Sequence, residues 1–558
     1  MKKLLLLLLL SGAPLVFAAS KIAQDVPTSN PNAAMDVIVR FKLPPSKDEL
    51  KQFGPLGQVK RSFDAIHALH LSLPQRAIAL LASDPNVVYV SPNRPLRGAL
   101  DITTQTVNAN IAWTYGWNGT GVGVAVIDSG ITAKADLNAA NNVTSRIVYS
   151  QSFVSGEGTN DLYGHGTHVA GIIGSNGVSS TGPGFTRTFK GIAPNVNLIN
   201  LKALSQTGSG QESDVIAAIQ AAIQLKNTYN IRVLNLSLGR PVFETYTLDP
   251  LCQAVEAAWN AGIVVVVAAG NSGRDNSMGT HGYGTIQSPG NDPSVITVGA
   301  TNTKGTLQIW DDTVASYSSK GPTLIDQIAK PDLVAPGNSI VSLLASTSAT
   351  LYLTSTRTQV SDLYYQTSIM SPSTSTDYLR LSGTSMATPG VAGAAALLIQ
   401  KNPSLTPDTV KARLMKSAAK VLPSYETQED SITAQLFNGQ ADIFTVGAGY
   451  LDINAALSST DVANLPALSP VVSYDPNTHK VTISRNYTTT WGSSIIWGDV
   501  SLWGSAALNG TSLSGLSVVW GDSVVWGDVN VSGFSVIWGE TAINPTGITA
   551  TSSDDGDQ

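Results

Sequence analysis

Three glycine-rich segments of the sequence carry side chains that could together perform nucleophilic catalysis. Asp128 ends an apolar run, His165 lies between two glycines, and Ser385 precedes a long apolar stretch. A serine hydroxyl attacks a carbonyl carbon efficiently when an imidazole accepts its proton and a carboxylate orients that imidazole. These residue types indicate acyl-transfer chemistry if the fold brings them together.

Each of these residues also has a structural explanation when it is considered alone. Asp128 could be a turn residue, and Ser385 could cap a helix N-terminus. His165 and His168 could ligate zinc or serve as capping or core imidazoles, although no third ligand lies at a recognised spacing. The glycines near Asp128 precede the apolar run, which is unlike a dinucleotide-binding fingerprint.

The elements that must position these residues are short β-branched strands alternating with helices. The sequence predicts strands at 122–127, 196–201, 233–236, 263–268 and 295–298, and helices at 213–226, 251–260, 386–400 and 407–418. Strands that are apolar throughout are typical of a parallel sheet covered on both faces. The predicted fold is therefore α/β with a doubly wound, mostly parallel sheet, and sites are expected beyond the carboxyl ends of its strands.

The three segments are most informative in combination. They read Asp128-Ser129-Gly130, Gly164-His-Gly-Thr-His-Val-Ala-Gly171 and Gly383-Thr-Ser-Met-Ala-Thr-Pro389, in the chain order Asp, His, Ser. With these motifs, the sequence resembles the subtilisin-like serine protease (subtilase) family over about residues 105–456. The resemblance implies a subtilisin-like fold and a secreted serine endopeptidase that works through an acyl-enzyme intermediate.

The resemblance also implies a role for each catalytic residue. Ser385 would be the nucleophile, His165 the general base and Asp128 the carboxylate that orients the imidazole. The Asn271 side chain would stabilise the oxyanion together with the Ser385 N–H. The residues alone do not distinguish His165 from His168 as the base.

Two further segments resemble the family's substrate-binding edges, between which an extended peptide would add as a strand. One edge comprises Gly208, Ser209 and Gly210, and the other Ser237, Leu238 and Gly239. The pocket for the residue before the scissile bond would be walled by Ala268, Ala269 and Gly270. No acidic cluster occurs among these wall residues, so a broad preference for apolar or aromatic residues is expected.

No cofactor is expected for catalysis, but a structural calcium ion is possible by resemblance. Asp136 matches a calcium-binding position of many relatives, whereas a longer insertion at 174–190 replaces the loop that supplies their other ligands. An ordinary turn aspartate is the alternative.

Composition limits the other classes of function. The net charge of the 558 residues is −6 and only 13% of them are charged, which argues against a nucleic-acid-binding protein. The single cysteine, Cys252, excludes an internal disulfide framework. The expected partners are protein or peptide substrates, and a monomer with no membrane span is expected.

The chain is predicted to contain four regions. Residues 1–18 have the Lys-Lys start, leucine run and small residues of a signal peptide, with an uncleaved membrane anchor as the alternative. Residues 19–98 form a small α+β domain, with strands at 36–41, 68–73 and 87–91 and helices at 46–54 and 74–83. By resemblance this domain is an inhibitor-type propeptide, the chain's own intramolecular inhibitor. It would be removed by self-cleavage between Arg97 and Asn110, making the protein a zymogen.

The peptidase domain is predicted at 99–458, and a Trp-Gly repeat extension at 459–558. Six tryptophans between Trp491 and Trp538 are each followed by glycine, which predicts an all-β repeat region. This extension could bind polysaccharide or a cell surface, aid export before removal, or cap the enzyme with buried tryptophans. The last residues, 552–558, are predicted to be a frayed acidic tail. The alternative function of the whole chain is a catalytically idle surface-binding protein that retains the subtilisin fold.

Overall fold

The computed structural model describes residues 21–22, 26, 31–63, 67–92, 99–277, 279–367, 373–423, 425–430, 433–475, 480–483, 548–550 and 557. The predicted signal peptide and the Trp-Gly repeats at 491–538 lie outside these residues. The chain divides into two compact units, Met1–Leu96 and Arg97–Gln558.

The first unit, called the N-terminal unit below, is an antiparallel sheet with two helices. Its elements are β1 (Ala34–Phe41), α1 (Lys47–Phe53), β2 (Gln58–Phe63), β3 (Ala68–Pro74), α2 (Gln75–Ser83) and β4 (Val87–Pro92), and the strand order is β2-β3-β1-β4. Val37, Val39 and Phe41 alternate along β1 and are buried in the unit's own core. The sequence prediction missed β2 because its residues are mostly exposed and polar, as an edge strand allows.

The second unit, called the large unit below, contains nine helices among the described residues. They are α3 (Ala99–Thr106), α4 (Ala109–Thr114), α5 (His165–Gly174), α6 (Glu212–Tyr229), α7 (Pro250–Asn260), α8 (Thr350–Thr354), α9 (Thr384–Lys401), α10 (Pro407–Ser417) and α11 (Ile453–Ser458). In the described part of the chain, none of these helices combines the length and the apolar run that crossing a bilayer requires.

The strands of the second unit form one large sheet and several small ones. They are β5 (Gly123–Asp128), β6 (Ile147–Ser152), β7 (Asn197–Lys202), β8 (Ser209–Gly210), β9 (Ile231–Leu236), β10 (Leu238–Gly239), β11 (Val264–Ala268), β12 (Ile296–Asn302), β13 (Thr313–Val314), β14 (Leu333–Pro336), β15 (Ile340–Leu343), β16 (Gln359–Ser361), β17 (Thr374–Leu381), β18 (Tyr425–Glu429), β19 (Leu436–Gln440), β20 (Val472–Asp475), β21 (Lys480–Ile483) and β22 (Ile548–Ala550).

The large sheet has the order β13-β12-β11-β9-β5-β7-β6, with β14 also paired to β12. Every pairing in it is parallel except that of β13 with β12. All residues of β5 and β11 are buried, because helices cover both faces of a parallel sheet. The predicted α/β fold with a mostly parallel sheet is confirmed. The sequence prediction missed β6, whose outer residues are exposed, the short strands β13 to β16 and the eight-residue β17.

The described residues after 547 are joined to the rest of the second unit. β22 pairs with β8 and β10 inside the large unit, and Asp557 is only 4% exposed. The prediction of a frayed tail at 552–558 is therefore wrong at Asp557, since this carboxylate forms hydrogen bonds and an ion pair that sequence reasoning did not foresee.

Candidate active site

Asp128 and His165 meet at the carboxyl edge of the large sheet. Asp128 is the last residue of β5, and His165 is the first residue of α5. The His165 Nδ1 atom lies 2.7 Å from Asp128 Oδ1, and the two residues are 0% and 1% exposed. Because a carboxylate only accepts hydrogen bonds, Nδ1 donates and Nε2 is the nitrogen that can accept a proton. Among the described residues His165 Nε2 has no hydrogen-bond partner.

A second buried carboxylate, Asp161, fixes the start of α5. It accepts hydrogen bonds from the Gly164 N–H at 2.7 Å, the Thr167 N–H at 2.8 Å and the Ser129 hydroxyl at 2.8 Å. Burial raises the pKa of Asp161 above its usual range, and the two N–H donors counter that effect. Sequence reasoning missed Asp161, and its only signal was the serine that follows Asp128.

His168 serves a different purpose from His165. Its Nε2 lies 3.1 Å from the carbonyl oxygens of Ile340 and Leu379, on β15 and β17. Burial lowers its pKa to about 3, so the imidazole is neutral and donates to one of these carbonyls. No group of three potential metal-ligating side chains occurs within the described residues. His168 therefore links α5 to the three-stranded sheet β15-β17-β16. The motif alone does not make this distinction between the two histidines.

Ser385 is the second residue of α9. It forms two hydrogen bonds with Ser237, which belongs to one of the predicted substrate edges. Its hydroxyl donates to the Ser237 carbonyl at 2.9 Å, and the Ser237 hydroxyl donates to the Ser385 carbonyl at 3.0 Å. The second bond satisfies a backbone carbonyl that has no donor within the helix. Pro389 has no N–H, so the Ser385 carbonyl four residues earlier lacks its helical donor.

Asn271 follows β11 and approaches the start of α9. Its Oδ1 accepts hydrogen bonds from the Thr384 N–H at 2.9 Å and from the Thr384 hydroxyl at 3.0 Å. With Oδ1 engaged there, Nδ2 is the amide atom that can donate to a developing oxyanion. Thr384 was missed by sequence reasoning, although it adjoins the serine in the same motif.

The predicted substrate edges form short strands on either side of the site. Ser209 and Gly210 are β8, Leu238 and Gly239 are β10, and Ser237 joins β9 to β10. Gly208 precedes β8 with φ +76°, and a Cβ there would lie 2.3 Å from the Tyr163 ring. The glycine is thus required by both its conformation and its close contact.

The predicted pocket wall lies at the end of β11 and contains one polar group that was not predicted. Ala268 and Ala269 are fully buried, and Gly270 follows with φ +109°. A Cβ at Gly270 would lie 2.8 Å from Gln287 Cγ, and one at Gly239 would lie 2.7 Å from Gln287 Oε1. Among the described residues this buried Oε1 has no hydrogen-bond partner. A neutral glutamine outside any motif left no signal in the sequence.

Asp136, the predicted metal ligand, is engaged by protein groups. Its carboxylate accepts hydrogen bonds from the Ser179 N–H at 2.7 Å and the Tyr378 hydroxyl at 2.9 Å. Burial raises the pKa of Asp136. The Arg146 guanidinium donates to the carbonyls of Asp136 and Gly174, so a cation already faces this loop. These contacts do not fit a calcium ion at Asp136.

Comparison with known proteins agrees with this geometry. The Peptidase_S8 profile, described as the Subtilase family, matches residues 119–449. The serine protease AprX of Bacillus subtilis (strain 168) is 38% identical over 381 residues, which cover 67% of this chain and 78% of AprX. Subtilisin E of the same organism is 34% identical over 396 residues, which cover 70% of this chain and 84% of subtilisin E. The extracellular serine proteinase of Thermus sp. (strain Rt41A) is 33% identical over 362 residues, covering 63% of this chain and 70% of that protein.

The chain belongs to the subtilase family. As a subtilase it is a serine endopeptidase that acts on proteins, so the predicted family and enzyme class are confirmed. A catalytically idle protein with this fold is not favoured.

Proposed function

We propose that this subtilase cleaves peptide bonds through an acyl-enzyme formed on Ser385. The Ser385 oxygen attacks the substrate carbonyl while His165 Nε2 takes the hydroxyl proton. His165 then gives that proton to the leaving amine, and water releases the acyl group by the same path in reverse. Asp128 holds Nδ1–H and stabilises the imidazolium. The observation that carries this proposal is the fully buried His165–Asp128 hydrogen bond of 2.7 Å beside the Ser385 helix.

The oxyanion of the tetrahedral intermediate would be stabilised by Asn271 Nδ2 and the Ser385 N–H. The two bonds from Thr384 to Asn271 Oδ1 support this assignment, because they fix the amide before substrate arrives. A preorganised donor needs no rearrangement when charge develops in the transition state.

Substrate would bind as a strand between the 208–210 and 237–239 edges, with main-chain hydrogen bonds supplying most of the affinity. The apolar wall at Ala268 and Ala269 supports a preference for apolar or aromatic residues before the scissile bond. Gln287 Oε1 adds one acceptor at this wall, so residues with a polar tip that donates a hydrogen bond would also be accommodated.

We further propose that the enzyme is secreted as a zymogen with a signal peptide at 1–18, an inhibitory propeptide at 19–98, a peptidase domain at 99–458 and an extension at 459–558. The order of charged, apolar and small residues at the start of the chain supports export. The separate core of the N-terminal unit supports a removable inhibitor. A structural calcium ion stays a prediction, which a thermal unfolding experiment with and without a chelator tests.

Labelling tests the catalytic proposal directly. The purified enzyme, incubated with a serine-directed phosphonylating reagent, should gain one adduct on Ser385 and lose its casein hydrolysis in parallel. Ser385→Ala should acquire no adduct. Hydrolysis that is retained when Ser385 is fully labelled, or lost when a different residue is labelled, would contradict the assignment of Ser385. The mass of the mature secreted protein tests the zymogen proposal, because it defines both ends of the chain.

A further inference from the structure

A strand from the far end of the chain fills the space between the two substrate edges. β22 (Ile548–Ala550) pairs antiparallel with β8, placing Ile548 opposite Gly210 and Thr549 opposite Ser209. On its other side it pairs antiparallel with β10, placing Thr549 opposite Gly239 and Ala550 opposite Leu238. The three strands form one sheet in which β22 is central. An added strand of this kind is how an extended peptide binds to exposed sheet edges.

The direction of β22 is that of a substrate approaching the nucleophile. Ala550 lies opposite Leu238, and the preceding edge residue is Ser237, which is hydrogen-bonded to Ser385. The carboxyl end of β22 is therefore directed toward the catalytic serine. The same end runs alongside Gly208, which packs on Tyr163 next to His165.

Asp557 provides a second attachment close to the site. Its carboxylate accepts hydrogen bonds from the Ser316 N–H at 2.6 Å, from the Ser316 hydroxyl and from Arg274 at 2.8 Å. Its backbone N–H donates to the Asn338 side chain at 2.8 Å, and its carbonyl accepts from the same side chain at 2.8 Å. Arg274, which also pairs with Asp430, lies three residues after Asn271.

We propose that the C-terminal segment, defined as Ile548–Ala550 with Asp557, is a built-in occupant of the substrate cleft that competes with protein substrates. This inference rests on the proposed assignment of the 208–210 and 237–239 edges to substrate binding. Main-chain pairing at β22 supplies sequence-independent affinity, and the Asp557 ion pair with its hydrogen bonds selects this segment over other peptides.

Covalent attachment makes such an occupant effective even if its intrinsic affinity is modest. A ligand tethered to its own site acts at an effective concentration that can reach about 1 mM. A substrate must then displace the segment before it binds. The competition raises the KM for substrate and leaves kcat unchanged, because saturating substrate removes the segment from the cleft.

The first experiment measures kcat and KM on a chromogenic peptide for the mature enzyme whose mass shows that residue 558 is present. In Asp557→Asn the carboxylate charge that pairs with Arg274 is lost, which should weaken the attachment and lower KM about tenfold at unchanged kcat. The matched control is Asp555→Asn, which makes the same charge change in the same part of the chain and should leave KM as in the parent.

The second experiment tests the segment as a separate molecule. An enzyme truncated after Asn544 should show the low KM, and a synthetic peptide of residues 545–558 added to it should inhibit competitively. The same peptide with asparagine at 557 should inhibit about tenfold less well. Equal KM values for parent, Asp557→Asn and truncated enzyme, or the absence of competitive inhibition at millimolar peptide, would overturn the proposal. A failure of the catalytic assignment would instead appear as hydrolysis that survives Ser385→Ala.

Discussion

The N-terminal unit and the C-terminal segment are both proposed to inhibit the enzyme, yet they are built in opposite ways. The N-terminal unit has a four-stranded sheet and a core of its own, which includes Val39 and Leu71. The C-terminal segment contributes a single three-residue strand, and both strands that flank it, β8 and β10, come from residues 209–239. A strand of that length has no stability without such partners.

This difference separates two kinds of inhibition. A region with its own core folds before it binds, so it can act as a preformed inhibitor and must be cleaved off to be removed. The C-terminal segment receives its structure from the cleft, so it can leave without unfolding a domain and can return when substrate is scarce. The first kind controls how much active enzyme is made, and the second controls how the finished enzyme responds to substrate concentration.

The largest expected effect concerns Ser385, the proposed nucleophile. Ser385→Ala should lower kcat for peptide hydrolysis by about 10⁶-fold, because the variant lacks the hydroxyl that is proposed to form the acyl-enzyme. If the N-terminal unit is removed by self-cleavage, this variant should also retain it, as a mass measurement would show. The exposed Ser404→Ala serves as control and should mature normally. A processed Ser385→Ala protein would mean that another protease releases the N-terminal unit.

The next effect separates catalysis from occupancy of the cleft. Asn271→Ala should lower kcat about 10²- to 10³-fold with little change in KM, since the lost hydrogen bond forms only in the transition state. Thr384→Val, which removes one of the bonds that hold Asn271 Oδ1, should lower kcat less. Steady-state kinetics thus distinguish these variants from Asp557→Asn, for which KM changes. A rise in KM at constant kcat would contradict the oxyanion role.

The core of the N-terminal unit offers the complementary test. Val39→Asp places a charge at a fully buried position and should destabilise that unit by about 3 kcal/mol or more, a large part of a small domain's stability. The yield of mature enzyme should fall about tenfold or more, in proportion to the population of folded unit. Arg40→Ser changes the exposed neighbour and should leave the yield unaltered. Equal yields for the two variants would argue against a folding or inhibitory role for this unit.

A smaller effect concerns His168 and the pH dependence of stability in the unit that holds the C-terminal segment. Burial lowers the pKa of His168 to about 3, whereas an unfolded histidine titrates near 6.5. The folded state therefore binds fewer protons between these values, and stability falls as the pH decreases below about 6.5. At pH 5 the loss should reach about 2 kcal/mol relative to pH 7.5, measured by denaturant unfolding of the phosphonylated enzyme. In His168→Gln the free energy of unfolding should depend less on pH. An equal pH dependence in the variant and the parent would contradict the assignment of this effect to the buried, neutral His168.

The sequence predicted those structural features whose signal lies in a run of consecutive residues. The apolar runs of β5, β9 and β11 predicted the parallel sheet because burial on both faces restricts composition over the whole strand. The roles of Asp128, His165 and Ser385 came from the resemblance of their motifs to the subtilase family, because the residues alone did not distinguish His165 from His168.

The features that the sequence did not reveal depend on contacts between distant residues. Asp161 and Gln287 have no motif of their own, and their positions follow only from the way loops pack at the carboxyl edge of the sheet. The same holds for Asp557, whose partners Arg274 and Ser316 lie more than 200 residues earlier. An acidic chain end is typical of solvated tails, so composition pointed away from the buried ion pair that the structure contains.

The proline in α9 has a consequence for how the active site is held together. An ordinary residue at position 389 would return an N–H to the helix and satisfy the Ser385 carbonyl internally. The helix would gain stability, but the Ser237 hydroxyl, which also accepts a hydrogen bond from the Asn235 side chain, would then share the Ser385 carbonyl with that N–H. The cleft edge would be held less firmly to Ser385. Pro389 thus leaves one carbonyl of α9 without a donor inside the helix. In place of one internal hydrogen bond, the helix has a hydrogen bond between Ser385, the proposed nucleophile, and Ser237 on the proposed substrate edge.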